Sequence, residues 1–539
     1  MSEVEIALGL LLAVVVLAAL AQRIGIAYPI LLVLGGLALG FVPGLPTVEL
    51  DPELVFLLFL PPLLYYEALF TSWRDFRFNL RPILLLAVGL VLMTTVVVAA
   101  VAHWVAGLPW GAAFVLGAIV SATDAVAATA IAERLGLPHR VVVVLSGESL
   151  VNDATVLAVL GVAVAAVVEG AFSFGEAVFE FVMGGLGGLV VGIAIGWVLV
   201  RLLRFLPDPV LANAAVLLVP FASYLAAEEL HVSGILAVVA SGLYAGRKAP
   251  TAVSGRTRLQ GNLFWEMAVF LLNGFVFVLI GLQLRDILEG LSGYSVAELT
   301  LYAVLVSLAV VLARVFWVFP ATYVPRVVSR RVRQRDPAPP WQAVSVVAWC
   351  GMRGVISLAA ALSLPLVTAE GGPFPGRDLI LFLTFSVILA TLVLQGLSLP
   401  PMIRALGLED DGSIEREEVR ARVKAAEAAL SRVDELSLED WVREDTAERV
   451  RALYDYRRRR FSSRYDEDGS GGEDGEDPFG NQGREDYEVR AVAYQQLMYE
   501  LFRAQREALV RLRDEGEISD EALHRIERDL DLEESRLEI

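Results

Sequence analysis

The sequence is poor in the residues that soluble chemistry uses. Cysteine occurs once in 539 residues, at Cys350 inside an apolar stretch, so neither an internal disulfide nor a thiolate metal cage can form. Histidine occurs four times, at His103, His139, His231 and His524, too scattered for a metal site. Charged residues make up 20% of the chain, where an ordinary soluble domain has about 25%, and apolar residues reach 56%. The mean hydropathy is +0.61. These shortages exclude a soluble enzyme, a nucleic-acid binder and a disulfide-rich secreted protein. The N-terminus lacks the basic region of a cleavable signal, and its apolar run 4–21 is long enough to span a bilayer.

Charge is placed unevenly. Of the formal net charge of -18, residues 404–539 carry -15 and the first 403 only -3, so the acidity belongs to a tail. Before the tail the chain reads as thirteen apolar runs, roughly 4–22, 28–43, 54–71, 82–104, 110–133, 142–168, 176–200, 209–228, 232–246, 262–282, 297–323, 342–366 and 378–400. With the N-terminus outside, the inner loops hold seventeen basic residues and the outer loops two, Arg285 and Arg377. A miscounted span mid-chain would destroy that alternation, so loop charge supports both number and orientation, with a cytoplasmic tail. The fold class expected is an all-α polytopic membrane domain (1–403) with a helical cytoplasmic extension. In that extension, 404–464 is helical, with Val419, Val423, Ala426, Leu430 and Val433 at helical spacing in one amphipathic stretch from 413 to 460. The Gly-rich acidic stretch 465–485 reads as a disordered linker, and 486–539 as helical again, with Ser519 opening a last short helix.

Ionisable residues inside a bilayer are costly and mark function by default. Here they are Glu67, Asp124, Glu148, Asp153, Arg314 and Arg353. The fifth run carries Ser121-Ala-Thr123-Asp124, whose side chains compete for backbone hydrogen bonds, and the twelfth carries Gly351-Met-Arg353-Gly354. Interruptions in corresponding spans of two halves (1–6 and 8–13) point to inverted repeats with two crossed broken helices. Half-helix N-termini suit Asp124 and half-helix C-termini suit Arg353, so both fit as dipole neutralisers, with direct ion ligation left open. On the sixth run Ser149, Asn152 and Asp153 share a helix face, with Glu148 at its edge. Asp153 has no neighbouring base in sequence, and burial penalises its bare anion, so a proton and a small cation compete for it. Glu148 pairs most simply with Arg314, the other unpaired core charge.

Four segments resemble one family. TDAVA at 123–127, GESLVNDA at 147–154, GMRGVISLA at 351–359 and FLPPLLYYEALF at 59–70 are similar, in order, to the signature segments of the cation:proton antiporter one family, the sodium/proton exchangers. The resemblance covers the membrane part, about three quarters of the chain. It implies a thirteen-helix homodimer in the plasma membrane whose six-helix core moves against a scaffold. It also implies exchange of Na+, Li+ or K+ for H+ with no cofactor beyond those transported ions. Asp153 becomes the ion and proton carrier and Asn152 its neutral companion. Ser149 and the Thr123 carbonyl complete the oxygen shell that a hard cation requires, with Asp124 in the same set. Glu67 sits at the cytoplasmic approach, while Glu148, Arg314 and Arg353 hold the core. An Asn-Asp pair, unlike Asp-Asp, implies electroneutral one-for-one exchange. A potassium/proton antiporter is the near alternative. A cation channel is the distant one, because the polar residues cluster at one depth instead of lining a path. A membrane hydrolase lacks a Ser/His pair, and the tail lacks a phosphate-binding Gly-rich loop. Trp110, Tyr294 and Tyr323 read as interfacial anchors.

Overall fold

A computed structural model describes residues 3–42, 55–170, 174–289, 291, 293–369, 371–408, 412–439 and 441–466, with scattered positions between 501 and 530. The described residues form helices and no strand, apart from one isolated bridge between Val367 and Pro373. The chain divides into two compact units, Met1–Asp411 and Gly412–Ile539.

The first unit opens with α1 (Glu3–Ile24), α2 (Tyr28–Gly40) and α3 (Leu60–Phe70). A helical stretch from Leu80 passes through a π-helical segment, Leu85–Leu90, into α4 (Val91–Ala106). Then come α5 (Trp110–Ile119), α6 (Val126–Arg134), α7 (His139–Val168), α8 (Phe174–Leu203), α9 (Pro209–Glu229), α10 (Gly234–Ala252), α11 (Gly255–Leu282) and α12 (Val296–Val328). The unit closes with α13 (Trp341–Trp349), α14 (Val355–Leu362), α15 (Arg377–Ala390), a further π-helical turn at Thr391–Gln395, and α16 (Gly396–Leu406). Among the described residues, eight helical stretches of 20 to 33 residues are long and apolar enough to cross a membrane, and three shorter apolar helices accompany them. In lipid every backbone N–H and C=O must be satisfied within the segment, which is why such sequences resolve into helices.

Local chemistry sets the ends. Asp208 caps α9 by accepting from Val210 N–H at 2.7 Å, and Ser295 with Glu298 forms a reciprocal capping box on α12. Gly107 and Gly407, both left-handed, stop α4 and α16. Where α2 crosses α11 the backbones touch: a Cβ on Gly36 would strike the Val278 carbonyl, and one on Gly281 the Val33 carbonyl. At the π-helical segment the Leu85 carbonyl is taken by Trp317 Nε1 at 2.9 Å.

Two apolar runs are not continuous helices. Residues 110–133 form α5 and α6 with a non-helical stretch at 120–125, and 342–366 form α13 and α14 with an extended stretch at 350–354. In the tail the amphipathic stretch 413–460 is divided between two helices. The tail holds α17 (Ser413–Leu436) and α18 (Glu444–Asp466), joined through Arg451 and Asp434 at 2.6 Å. The Ser437 hydroxyl turns back to the Asp434 carbonyl at 2.7 Å, competing with helix continuation. Most of the expected linker and the helix start at Ser519 lie outside the described residues.

Candidate functional site

The two helix breaks meet. Asp124 N–H donates to the Met352 carbonyl at 2.9 Å, tying the 120–125 stretch to the 350–354 stretch. Asp124 Oδ1 accepts from Val126 N–H at 2.8 Å, capping α6, and the Val355 N–H that opens α14 faces the same carboxylate. One anion thus sits at two helix N-termini, where the backbone dipoles are positive. Its other oxygen lies where a Gly354 Cβ would be, so only glycine leaves room there. On the opposite side Ser357 Oγ donates to the Ile119 carbonyl at 2.9 Å, satisfying a C-terminal group of α5.

Helix α7 lays its polar face along the 120–125 stretch. Ser149 Oγ donates to the Thr123 carbonyl at 3.3 Å. Asn152 Nδ2 donates to Thr123 Oγ1 at 3.0 Å and lies 3.5 Å from the Ser121 carbonyl. Thr123 Oγ1 donates in turn to Glu148 Oε1 at 3.2 Å. Glu148 is held by both terminal nitrogens of Arg314, at 2.5 and 2.8 Å, with both side chains 1% exposed, and Arg314 Nε donates to the Val347 carbonyl at 3.1 Å. Arg353 is equally buried, and none of its guanidinium nitrogens has a hydrogen-bond partner among the described residues. Its backbone N–H is anchored on Thr391 Oγ1 at 3.1 Å.

Asp153 differs from Asp124 and Glu148. It is 2% exposed, and Oδ1 has no hydrogen-bond partner. It lines a cavity of about 590 Å³ together with Glu67, Thr123, Asp124 and Ser149. The cavity extends to Thr71, Ser72 and His139 at the ends of their helices. Its walls hold four carboxylates and no lysine or arginine, a field that attracts cations. Glu67 Oε2, farther along, is also without a partner. Among the described residues no three acidic, histidine or cysteine side chains converge as a metal cage. Asn152 stands behind the wall, its amide spent on Thr123.

Three wall residues escaped the sequence reading: Tyr28 on α2, and Glu266 and Asn273 on α11. Glu266 and Asn273 are seven apart, two helical turns on one face, and that spacing in an apolar run was the available signal.

Comparison with known proteins follows this geometry. Residues 10–405 match the family described as sodium/hydrogen exchanger, transmembrane. The chain is 36% identical, over 98% of its length and 95% of the relative, to an uncharacterised Na(+)/H(+) exchanger of Mycobacterium tuberculosis. It is 36% identical to the sodium, potassium, lithium and rubidium/H(+) antiporter of Bacillus pumilus, over 84% of this chain and 69% of that one. Its fold is similar to the sodium proton antiporter MjNhaP1 of Methanocaldococcus jannaschii, with TM-score 0.60 and 21% identity, covering 75% of this chain and 99% of that one.

Proposed function

The chain belongs to the sodium/hydrogen exchanger family, a family of multi-pass membrane transporters, and from that premise we propose that it exchanges one monovalent cation for one proton without net charge movement. The observation that carries the reading is Asp153: a buried carboxylate oxygen with no partner, at a cavity whose walls hold no basic side chain longer than histidine. A bare anion so placed is costly, so it is occupied either by a proton or by a cation, and the two exclude each other. Asn152, neutral and committed to Thr123, adds no second titrating charge, which makes the cycle one for one. An arriving ion takes Asp153 and the Thr123 carbonyl, and the Ser149 hydroxyl, now on a long 3.3 Å bond, turns its lone pairs to the ion. Glu67 and Asp124 raise cation concentration at the approach.

In this reading the two interrupted spans cross at the ion site within a thirteen-span, inverted-repeat domain that works by alternating access as a homodimer. The N-terminus lies outside and residues 404–539 are cytoplasmic, in keeping with the basic inner loops. Na+ is the first substrate, and the breadth of the Bacillus pumilus relative's name supports testing K+, Li+ and Rb+ beside it. The experiment is proton-coupled flux in proteoliposomes with each alkali cation, with and without an imposed voltage. Wild type is expected to exchange at a rate indifferent to voltage, and Asp153→Asn to give no exchange. Exchange surviving that substitution, or a voltage-driven current, overturns the proposal.

A further inference from the structure

Three guanidinium groups converge on one carboxylate at the ends of the membrane helices, away from the ion site. Asp336, just before α13, accepts from Arg81 Nη2 at 2.6 Å, Arg140 Nη2 at 2.6 Å and Arg326 Nη2 at 2.8 Å. Its carbonyl also takes Arg326 Nε at 3.2 Å. The cluster keeps two positive charges more than Asp336 neutralises. Arg326 is 5% exposed, whereas the side chains of Arg81 and Arg140 are 31% and 36% exposed, so the surplus charge faces outward. Arg81 Nε is buried without a partner.

Beside the cluster lies a second cavity of about 520 Å³. Arg140 and Arg326 reach its wall, and apart from Thr322 the remainder is apolar, including Leu85, Val141, Val318, Pro339, Val344 and Leu408. That volume lies within the usual range for a small-molecule site. Trp341, 58% exposed at the start of α13, marks the depth at which aromatic side chains meet the membrane interface. A cationic fork at headgroup depth joined to an apolar cavity matches an anion that carries a hydrocarbon body. Basic pockets between membrane helices take anionic lipid headgroups by this chemistry, and arginine meets phosphate oxygens two at a time.

We propose that the Arg81–Arg140–Arg326 cluster and its adjoining cavity bind one anionic phospholipid, the phosphate on Arg81 and Arg140 and part of an acyl chain in the cavity. The inference stands apart from the transport reading and needs only a membrane protein.

The test uses the full chain, delipidated in detergent and titrated with phosphatidylglycerol, phosphatidylcholine or inorganic phosphate. Bound lipid is counted by native mass spectrometry and the melting shift is recorded alongside. Phosphatidylglycerol is expected to bind in preference to phosphatidylcholine, the preference falling about fivefold for each of Arg81→Gln and Arg140→Gln, equivalent to about 1 kcal/mol per basic residue. Arg81→Lys, which keeps the charge and loses the fork, is expected to fall between wild type and Arg81→Gln, and serves where Arg81→Gln fails to fold. Equal binding of the two lipids, or a preference untouched in Arg81→Gln, refutes the site. Displacement of the lipid by millimolar phosphate makes it a free-anion site and overturns the lipid assignment.

Discussion

Removing Arg314 tests how the ion site is supported. Its guanidinium meets both Glu148 oxygens at 2.5 and 2.8 Å, and both side chains are 1% exposed. In Arg314→Ala the Glu148 carboxylate keeps one partner, the Thr123 hydroxyl at 3.2 Å. Breaking a buried pair from one side typically costs about 3–5 kcal/mol, because a charge is left uncompensated. That is about two to three and a half powers of ten in the folded-to-unfolded ratio. The Val347 carbonyl also loses its donor. The expected result is a large fall in monodisperse yield and melting temperature, read by fluorescence-detected size exclusion after heating. Glu148→Gln in the same chain removes the stranded charge while its amide oxygen still accepts from Thr123, so about half the loss should return, along with measurable exchange. Wild-type melting for Arg314→Ala, or a double variant no better than the single one, would falsify this account of the pair.

Three further outcomes follow from the same geometry. Gly354→Ala drives a Cβ into the Asp124 carboxylate and should cost about 1–3 kcal/mol and most of the flux, seen as a lower melting point with slow exchange; an unchanged protein contradicts the contact. Asn152→Ala strips Thr123 of its 3.0 Å donor and should cost about 1–3 kcal/mol while exchange stays voltage-independent; a voltage-dependent current would show that neutrality does not come from Asp153 alone. For Asp336, partial burial pushes its carboxyl up, but the hydrogen bonds and charges of Arg140 and Arg326 outweigh it and hold the group below the usual carboxylate range. Its stabilisation is therefore full above about pH 3.9 and is lost as pH falls through the lower folded value, so wild type should lose melting temperature more steeply than Asp336→Asn below about pH 4; parallel curves would contradict the cluster.

What could be read in advance followed from composition and spacing. Apolar runs separated by basic loops announce a membrane protein, because lipid tolerates little else. Arg314 was the one unpaired core cation besides Arg353, and the structure sets it on Glu148. Thr123-Asp124 and the Gly351/Gly354 bracket marked where helices give way, and both stretches are non-helical. Other features left no local trace. Arg81 and Arg140 lie 255 and 196 residues from Asp336, a separation that no sequence window spans. At the π-helical segment 85–90 the Leu85 carbonyl takes its side-chain donor from Trp317, 232 residues away. Glu266 and Asn273 were visible as a helical pair, but nothing nearby said that their face turns toward Asp153 and not toward lipid.

Asp124, Glu148 and Asp153 sit within thirty residues of one another, and their surroundings divide the work among them. Glu148 is saturated by Arg314 and Thr123, so releasing its charge would break the core. Asp124 is held by backbone N–H groups that cannot leave, since they open α6 and α14. Of these three, Asp153 alone has a buried oxygen without a hydrogen-bond donor among the described residues. A carrier has to bind its cargo and let it go, and a carboxylate already paid in full by fixed donors does neither. The fixed groups make the free one usable: Glu148 orients Thr123, Asn152 steadies it, and the Thr123 carbonyl lies within reach of Ser149 one turn before Asp153. In the proposed exchange Asp153 stays unsatisfied while the charges of Glu148 and Asp124 beside it are held by fixed partners.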